Sequence, residues 1–492
     1  MKLASENPLR IAILGTGMMG QGACRCYILI ALFRPRHSPR ASLTDFNVSS
    51  SLEHISYIQK YPNLAIKFLC DPTESSTDTA LAMIKEEAGD GKPEIPTVFR
   101  DEEQLLAHVD EIDLLVIASP NYMHTPQLIR WGRFDITILC EKPVAISEKQ
   151  IADLKAANLS AQIWVAMEYR FIPAINKLLQ LLPEVGPIKK VTIRENRYPF
   201  LTKIEEWNKD VSKSGDTLVE KCCHFFDLFR LITGQEMNSC VSKVHRGLLW
   251  DHYGYQDHED KEIVPIIDSA YVLLDFVAMK GVATAASSVE ADAPPKRRAV
   301  QHSTIGCLEL CMFAEGSRHQ EEIIVTGMKG RVEAYLPENK VFLYQRPTPD
   351  GPWKDKSKPP PSESFTEEIF DCSDLRQVYD FADSLPKMHS GYHYCSTAIE
   401  WKYLIDAIKD SREGRPFTPK VTLDDGIKAV EMGIASMANI SNGNHVAPVT
   451  AHDGTPSEIL VNHVPNTNKA HAMTTVFIRG GDSYSSYEEH MQ

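Results

Sequence analysis

The first 146 residues read as an α/β Rossmann domain with a parallel sheet, and three observations carry that reading. The run RIAILGTGMMGQ at 10–21 sets a short apolar strand directly before glycines at the spacing G-x-G-x-x-G. AIKFLC at 65–70 is a second strand that ends in an acid, Asp71. The apolar runs 112–118 and 136–140 each lead into a polar segment suited to chemistry, as central strands of a parallel sheet do.

The glycines come first in the chain. Gly15 allows a tight turn, Gly17 lets the backbone approach a pyrophosphate, and Gly20 lets the next helix pack close to the strand. That helix then offers N–H groups and a positive dipole end to the phosphates. Met18 and Met19 complete the binding loop. A Rossmann unit sets an acid about 20 residues past its glycines, and Asp71 lies much farther on. Removing residues 22–52, with their basic run FRPRHSPRASLTDFNVSSS, restores the spacing. Residues 53–61 then continue the first helix, with Ile55 and Ile58 near one face. Two origins stay open for residues 22–52. One is a retained intron, because codons for Gly22–Arg25 and Leu52-Glu53 permit a donor and an acceptor whose joining regenerates glutamate. The other is a genuine surface insertion, in which the apolar run 26–33 is itself the helix.

Beyond Asp71 the pattern is orderly. A helix is expected over 77–88, a short strand at 97–99 and a helix over 102–109. The strand 112–118 ends in Ser119-Pro-Asn121-Tyr-Met-His124, and a helix starts at 127–131. The strand 136–140 ends in Glu141-Lys142-Pro143. Open α/β sheets bind ligands at the carboxyl ends of their strands, so the Gly15 turn, Asp71, Asn121 and Lys142 should face one crevice.

Bulk composition narrows the class. The chain has 492 residues, enough for two or three domains, with 43% hydrophobic and 24% charged residues. A formal net charge of −14 argues against nucleic-acid partners. No signal-peptide core and no membrane-spanning apolar run is evident. The 11 cysteines form no C-x-x-C pair, so no metal site is expected. Free, mostly buried thiols in a reducing cytoplasm fit this usage.

The glycine turn, S-P-N-x-x-H at 119–124 and E-K-P at 141–143 together resemble the Gfo/Idh/MocA oxidoreductase family (glucose-fructose oxidoreductase, inositol dehydrogenase and relatives). VAMEYRFIP at 165–173 looks like that family's entry into its second domain, and GDTLVEKCCHFFD at 215–227 looks like its G-G-x-x-x-D-x-x-x-H-x-x-D helix. The resemblance implies a Rossmann domain followed by an α+β domain with an open, mostly antiparallel sheet. It places the Rossmann domain at 1–146, a substrate and oligomerisation domain at 147–447, and a loose tail at 448–492. Residues 189–196, 268–276, 307–313 and 321–326 read as strands of the second sheet. Residues 282–306 are a second candidate insertion, 346–361 a mobile loop, and 396–410 and 423–438 amphipathic helices.

The resemblance also assigns chemistry. Removing a hydride from an alcohol needs a base for the hydroxyl proton and a group that stabilises the developing alkoxide. His224 and Lys142 match the family's residues for these parts. Glu220 would lie one helical turn before His224, able to orient the ring or hold a substrate hydroxyl. The family usually has aspartate there, and Lys221 beside it is a further departure. Gly15, Gly17, Met18, Met19, Gly20, Asp71, Ser119, Asn121, His124 and Glu141 are the cofactor-binding candidates. Asn121 and His124 are expected to shape the loop under the nicotinamide. Tyr169, Arg170, Trp207 and His393 are candidates for the substrate pocket, and Cys222 and Cys223 are read as structural. Asp71 favours NAD over NADP, since a carboxylate accepts from a ribose 2′-OH and repels a 2′-phosphate. The implied reading is a dehydrogenase of a polyol or sugar that self-associates as a dimer or tetramer. The alternative is a catalytically silent dinucleotide sensor on the same fold.

Overall fold

The computed structural model describes residues 8–16, 50–87, 94–201, 203–254, 264–277, 303–347, 355, 357–361, 365–385 and 395–440, with strand segments between 449 and 484. Met1–Ala438 form one compact unit and Asn439–Gln492 another.

In the first unit, six strands form a wholly parallel sheet in the order 3-2-1-4-5-6. They are β1 (Leu9–Leu14), β2 (Leu64–Cys70), β3 (Thr97–Phe99), β4 (Leu114–Ile117), β5 (Thr137–Glu141) and β6 (Gln162–Ala166). All four side chains of β4 and all five of β5 are buried, which is why those runs read as continuously apolar. The order reverses between β1 and β4, the point where a doubly wound sheet opens a ligand crevice at its carboxyl edge.

Helix α1 (Ser50–Gln59) joins the glycine loop region to β2 and buries Leu52, Ile55 and Ile58. The expected face is therefore the core face. The helix is already under way at Ser50 and buries Leu52, inside the span 22–52 that the spacing argument set apart. Residues 17–49 otherwise lie outside the described set. Helix α2 is Glu74–Glu87, and α3 is Asn121–Trp131. The sequence reading started this helix at 127, whereas it begins at Asn121 and contains Pro126, which cannot donate to the Tyr122 carbonyl. The helix runs through Pro126 because the Gln150 side-chain amide donates to that carbonyl instead, at 3.0 Å. Gln150 lies on α4 (Glu148–Ala156), which Ser147 caps.

The second sheet has eight strands in the order 14-13-12-11-7-10-9-8. They are β7 (Ile188–Asn196), β8 (Glu236–Arg246), β9 (Ile267–Val277), β10 (Thr304–Cys311), β11 (Glu321–Gly327), β12 (Gly330–Tyr335), β13 (Lys340–Gln345) and β14 (Thr366–Asp371). Every neighbouring pair is antiparallel except β7 with β10. Phe276 of β9 faces Thr304 of β10. Thr304–Gly306, the last residues of the candidate insertion at 282–306, therefore belong to the strand; residues 278–302 lie outside the described set. So do most of residues 346–361, where a mobile loop was expected.

The longer helices of the rest of the first unit are α5 (Pro173–Val185), α6 (Cys223–Thr233), α7 (Ser396–Arg412) and α8 (Leu423–Ala438), and α5, α6 and α8 pack on the second sheet. The opposite sheet face leaves Val241, Tyr271, Leu273 and Ile305 about half exposed. Among the described residues no helix is long and apolar enough to cross a membrane. In the second unit the described residues form two small antiparallel sheets, from Val449–Thr450 with Pro456–Ser457 and from Ile459–Val461, Val476–Gly480 and Ser483–Tyr484.

Candidate active site

A cavity of about 520 Å³ opens at the carboxyl edge of the parallel sheet and extends to the second sheet's helices. Its nucleotide end is built on Gly15. The residue sits at φ +88°, and a Cβ there would stand 2.5 Å from the Ser119 backbone. Only glycine lets β1 and β4 approach this closely at the switch point. The Asp71 carboxylate is buried and accepts from the Thr16 N–H at 2.7 Å and the Thr73 N–H at 2.8 Å. It thus clamps the glycine turn to β2, a role the spacing argument had not given it. Four lone-pair directions leave the carboxylate able to accept further hydrogen bonds. Thr16 Oγ1 and Ser76 Oγ are buried at this end without a partner among the described residues. A cradle closed to any Cβ, with orphaned hydroxyls beside it, fits a dinucleotide.

The loops after β4 and β5 are tied together. His124 places one ring nitrogen 2.8 Å from the Pro143 carbonyl and the other 2.7 Å from that of Ser119. Burial holds its pKa below the ordinary histidine value, against the pull of those carbonyls. Ser119 Oγ donates to Gln127 at 2.5 Å, and the Asn121 amide donates to the Ser214 carbonyl at 3.2 Å. Both Asn121 and His124 therefore hold loops in place.

Along the next wall, Trp401 Nε1–H donates to His54 Nδ1 at 3.0 Å, which leaves the proton on Nε2. Nε2 then donates to Glu141 Oε1 at 3.0 Å. Burial works against the Glu141 charge, but the His54 hydrogen bond and Lys142 outweigh it, and its pKa falls below the usual range. Thr397 Oγ1 donates to Glu53 at 2.8 Å, and Trp164 Nε1 to Glu400 Oε1 at 2.9 Å. Helix α7 is thereby bolted to α1 and to β6.

The opposite wall is cationic. Lys142 Nζ donates to the Glu220 carbonyl oxygen at 3.0 Å and stands 3.8 Å from Glu220 Oε1. Burial opposes the ammonium charge, yet Glu220, with Cys223, Glu168 and Glu141 behind it, raises the pKa above the ordinary lysine value. Lys203 reaches the same Oε1 at 3.5 Å and lies 4.5 Å over the Trp207 ring. For Lys203 desolvation prevails, helped by the Lys142 charge, and the pKa falls. Burial disfavours the Glu220 charge, but Lys142, Lys203, Arg197 and Lys221 bring its pKa down to about 2.

His224 is buried and stacks on Tyr169, with ring centroids 4.5 Å apart. Its Nε2 is 3.5 Å from Glu168 Oε1. The expected single helix through Glu220 and His224 is broken. One short helix, Thr217–Glu220, ends before α6 begins at Cys223. The carboxylate set beside the imidazole is Glu168, at the end of β6, while Glu220 serves the lysines. Tyr169 Oη accepts from Lys221 at 2.7 Å and donates to Glu321 at 2.8 Å.

Gly15, Asp71, Ser119, Asn121, His124, Glu141, Lys142, Tyr169, Trp207, Glu220 and His224 all line the one cavity. Arg170 does not. Its guanidinium grips Asp227 through two 2.5 Å hydrogen bonds and the Lys420 carbonyl at 2.7 Å and stands 3.5 Å from Asp425, so it bolts β6's extension to α6 and α8. Gly17, Met18, Met19, Gly20 and His393 lie outside the described residues. Cys222 and Cys223 are fully buried, and burial pushes the Cys223 thiol up to about 12. Sequence reasoning passed over Glu53, His54, Glu168, Lys203, Thr397 and Glu400. The signal available for the α7 pair was Thr397 and Glu400 at helical spacing on a face otherwise apolar.

Fold and site together define an oxidoreductase built on an NAD-binding Rossmann domain. A family model described as the oxidoreductase family's NAD-binding Rossmann fold matches residues 46–169. The model of its C-terminal alpha/beta domain matches residues 182–293. The chain belongs to the Gfo/Idh/MocA oxidoreductase family. The first match begins just before α1 and leaves the glycine turn outside it. The chain is 27% identical to inositol 2-dehydrogenase of Rhizobium meliloti over 130 residues, 26% of this chain and 38% of that protein. It is 27% identical to glucose-6-phosphate 3-dehydrogenase of Bacillus subtilis over 180 residues, 33% of this chain and 51% of that one. The chain thus spans a third to a half of the length of the curated relatives it matches. Levoglucosan dehydrogenase, solved with NADH and levoglucosan, superposes with a TM-score of 0.56 over 88% of this chain and 97% of that chain, at 14% identity.

Proposed function

We propose that this protein is an NAD-dependent dehydrogenase of the CH–OH group of a polyol, a sugar or a related small molecule, working in the cytoplasm. The observation that carries the reading is that Lys142 and His224, from distant parts of the chain, line the same cavity as the Gly15 turn. The bound nicotinamide would supply a hydride acceptor or donor. Gly15, Asp71, Ser119 and Glu141 are the described residues that would hold the dinucleotide.

The remaining steps belong to the protein. The His224 imidazole takes the hydroxyl proton, and Glu168, 3.5 Å from Nε2, stabilises the imidazolium. Lys142 stays charged, so it acts as a fixed cation for the alkoxide oxygen and not as a base. Glu220 anchors that ammonium. Trp207 and Tyr169 give the substrate apolar walls, which suits the C–H faces of a sugar ring. Asp71 supports NAD over NADP through the charge of its carboxylate. The open face of the second sheet supports a homodimer or homotetramer.

The test is a panel of polyols and sugars with NAD, read as NADH absorbance. His224→Ala and Lys142→Ala should each lower kcat by about 10²–10⁴-fold. The Kd for NADH should change little in either variant. NADH binding with no turnover across the panel would replace the enzyme by a dinucleotide sensor.

A further inference from the structure

Glu400 is a polar group of which the surrounding fold uses one oxygen and leaves the other unpaired among the described residues. It projects from α7, is wholly buried, and lines the cavity. Oε1 accepts the Trp164 indole N–H at 2.9 Å. Oε2 is also buried and has no hydrogen-bond partner among the described residues. A buried polar atom left in that state is costly, so one on a residue of a cavity wall marks a place for a ligand atom.

The chemistry of the missing partner follows from the residue's protonation. Burial holds the Glu400 carboxyl well above the usual range; the Trp164 hydrogen bond opposes this, and the charges of Glu168, Glu141 and Glu53 add to it. These influences together favour the protonated, neutral form of the carboxyl. An indole N–H can only donate, so Oε1 is the carbonyl oxygen and Oε2 the hydroxyl. What Oε2 lacks is an acceptor.

The position names which acceptor. Glu400 shares its wall with Glu141, the last residue of β5, and with Thr397, Glu53 and His54. From Asp71 and Gly15 at the nucleotide end, the strand ends lead past Ser119 to Glu141 and Lys142 and so to His224. A dinucleotide laid in that order brings its nicotinamide to the Glu141 segment. The nicotinamide carries a carboxamide oxygen, a strong neutral acceptor, beside its reacting carbon. We propose that the Glu400 hydroxyl donates to the nicotinamide carboxamide oxygen and thereby fixes the rotation of the ring. This rests on the dinucleotide reading above. Glu400 is a cofactor-binding residue in this assignment, and α7, a helix of the C-terminal region, becomes part of the cofactor site.

The test uses the full chain and three probes: NADH, thio-NADH (the carboxamide oxygen replaced by sulfur, a poor acceptor) and ADP-ribose (no nicotinamide). Kd values come from protein fluorescence or calorimetry. The wild type should bind NADH about tenfold more tightly than thio-NADH. Glu400→Leu should weaken NADH about tenfold, erase that preference, and leave ADP-ribose unchanged. Glu400→Gln keeps an acceptor for Trp164 and a donor for the ligand, and should restore most of the NADH affinity. A Glu400→Leu protein that keeps the oxygen-over-sulfur preference overturns the proposal. So does one that loses ADP-ribose as strongly as NADH, since the role would then be structural. A wild type that binds ADP-ribose but treats NADH and thio-NADH alike removes the Glu400 contact and leaves the dinucleotide site standing. One that binds none of the three removes the dinucleotide reading itself.

Discussion

The two long walls of the cavity are built on different physics. On the wall made by α1, β5 and α7, directional hydrogen bonds do the positioning. Trp401, His54 and Glu141 form a chain in which each donor has one acceptor, so a single tautomer and ring orientation are selected. On the wall made by Lys142, Glu220 and Lys203, charges share one another's oxygens at 3.5–3.8 Å, with no single donor–acceptor pairing. The first wall resists displacement. The second responds to any charge brought near it: one lysine's pKa is raised, the other's lowered, and the carboxylate between them is brought down to about 2. A rigid wall suits a cofactor that keeps one pose. A polarisable wall suits an oxygen whose charge changes during reaction.

The sharpest way to break the rigid side is at its backbone. Gly15→Ala puts a Cβ against the Ser119 backbone at φ +88°, where neither strand can yield. The expected cost is about 4 kcal/mol of stability, with NADH binding lost, read by thermal unfolding and fluorescence titration. A Gly15→Ala protein with native melting and NADH affinity would show that β1 and β4 do not meet this closely.

The polarisable side should fail through charge. The Glu220 pKa lies below its unfolded value. Its stabilisation is therefore complete above about pH 4.5 and is lost as pH falls toward 2. The depression corresponds to about 3 kcal/mol. Glu220→Gln should lose about that much at pH 7 and flatten the dependence of stability on pH between 4.5 and 2. Denaturant titrations at pH 7, 4 and 3 check both parts. An unchanged acid limb would place the protons taken up there on another carboxylate.

How much of this was legible in sequence divides along the same line. The strands β1, β2, β4 and β5, the second-sheet strands read at 189–196, 268–276, 307–313 and 321–326, and the naming of Asp71, Lys142 and His224 all came from local pattern or short motifs. Apolar runs and glycine spacing are local properties. Strands β8, β12, β13 and β14 were missed: β8 and β14 carry little apolar alternation, whereas β12 and β13 do alternate and were passed over. The rigid wall was missed for a different reason. His54 and Trp401 are each unremarkable in their own segments, Glu141 was a candidate only through its E-K-P motif, and only the fold brings residue 54 to residue 401. Arg170 shows the converse error. An arginine next to a motif suggested substrate contact, and Asp227 had already claimed it.

Trp401→Phe sharpens the comparison with a smaller effect. It removes the donor to His54 Nδ1 and leaves a buried acceptor without its hydrogen bond. Stability should fall by about 2 kcal/mol, and the His54 proton should become free to sit on either nitrogen. Imidazole nitrogen shifts in an NMR spectrum of histidine-labelled protein report this directly. A single unmoved tautomer in the variant would mean that Glu141 alone sets it.

The smallest effect concerns the segment between the glycine turn and α1. Lengthening a flexible connection several-fold costs about 1.5 kcal/mol in closure entropy, since the penalty grows only with the logarithm of length. Removing residues 22–49 should therefore tighten NADH binding by up to about tenfold. The cut stops before Ser50 because Leu52 is buried in the core. Removing 22–52 instead sacrifices that side chain and should gain less. If both shortened proteins bind NADH as the full chain does, ordering of the glycine turn is not what limits affinity. If the longer cut binds more tightly than the shorter, Leu52 contributes less to the core than its burial implies. In that case the original spacing argument, which placed the boundary at 52, marks the segment's edge better than the packing does.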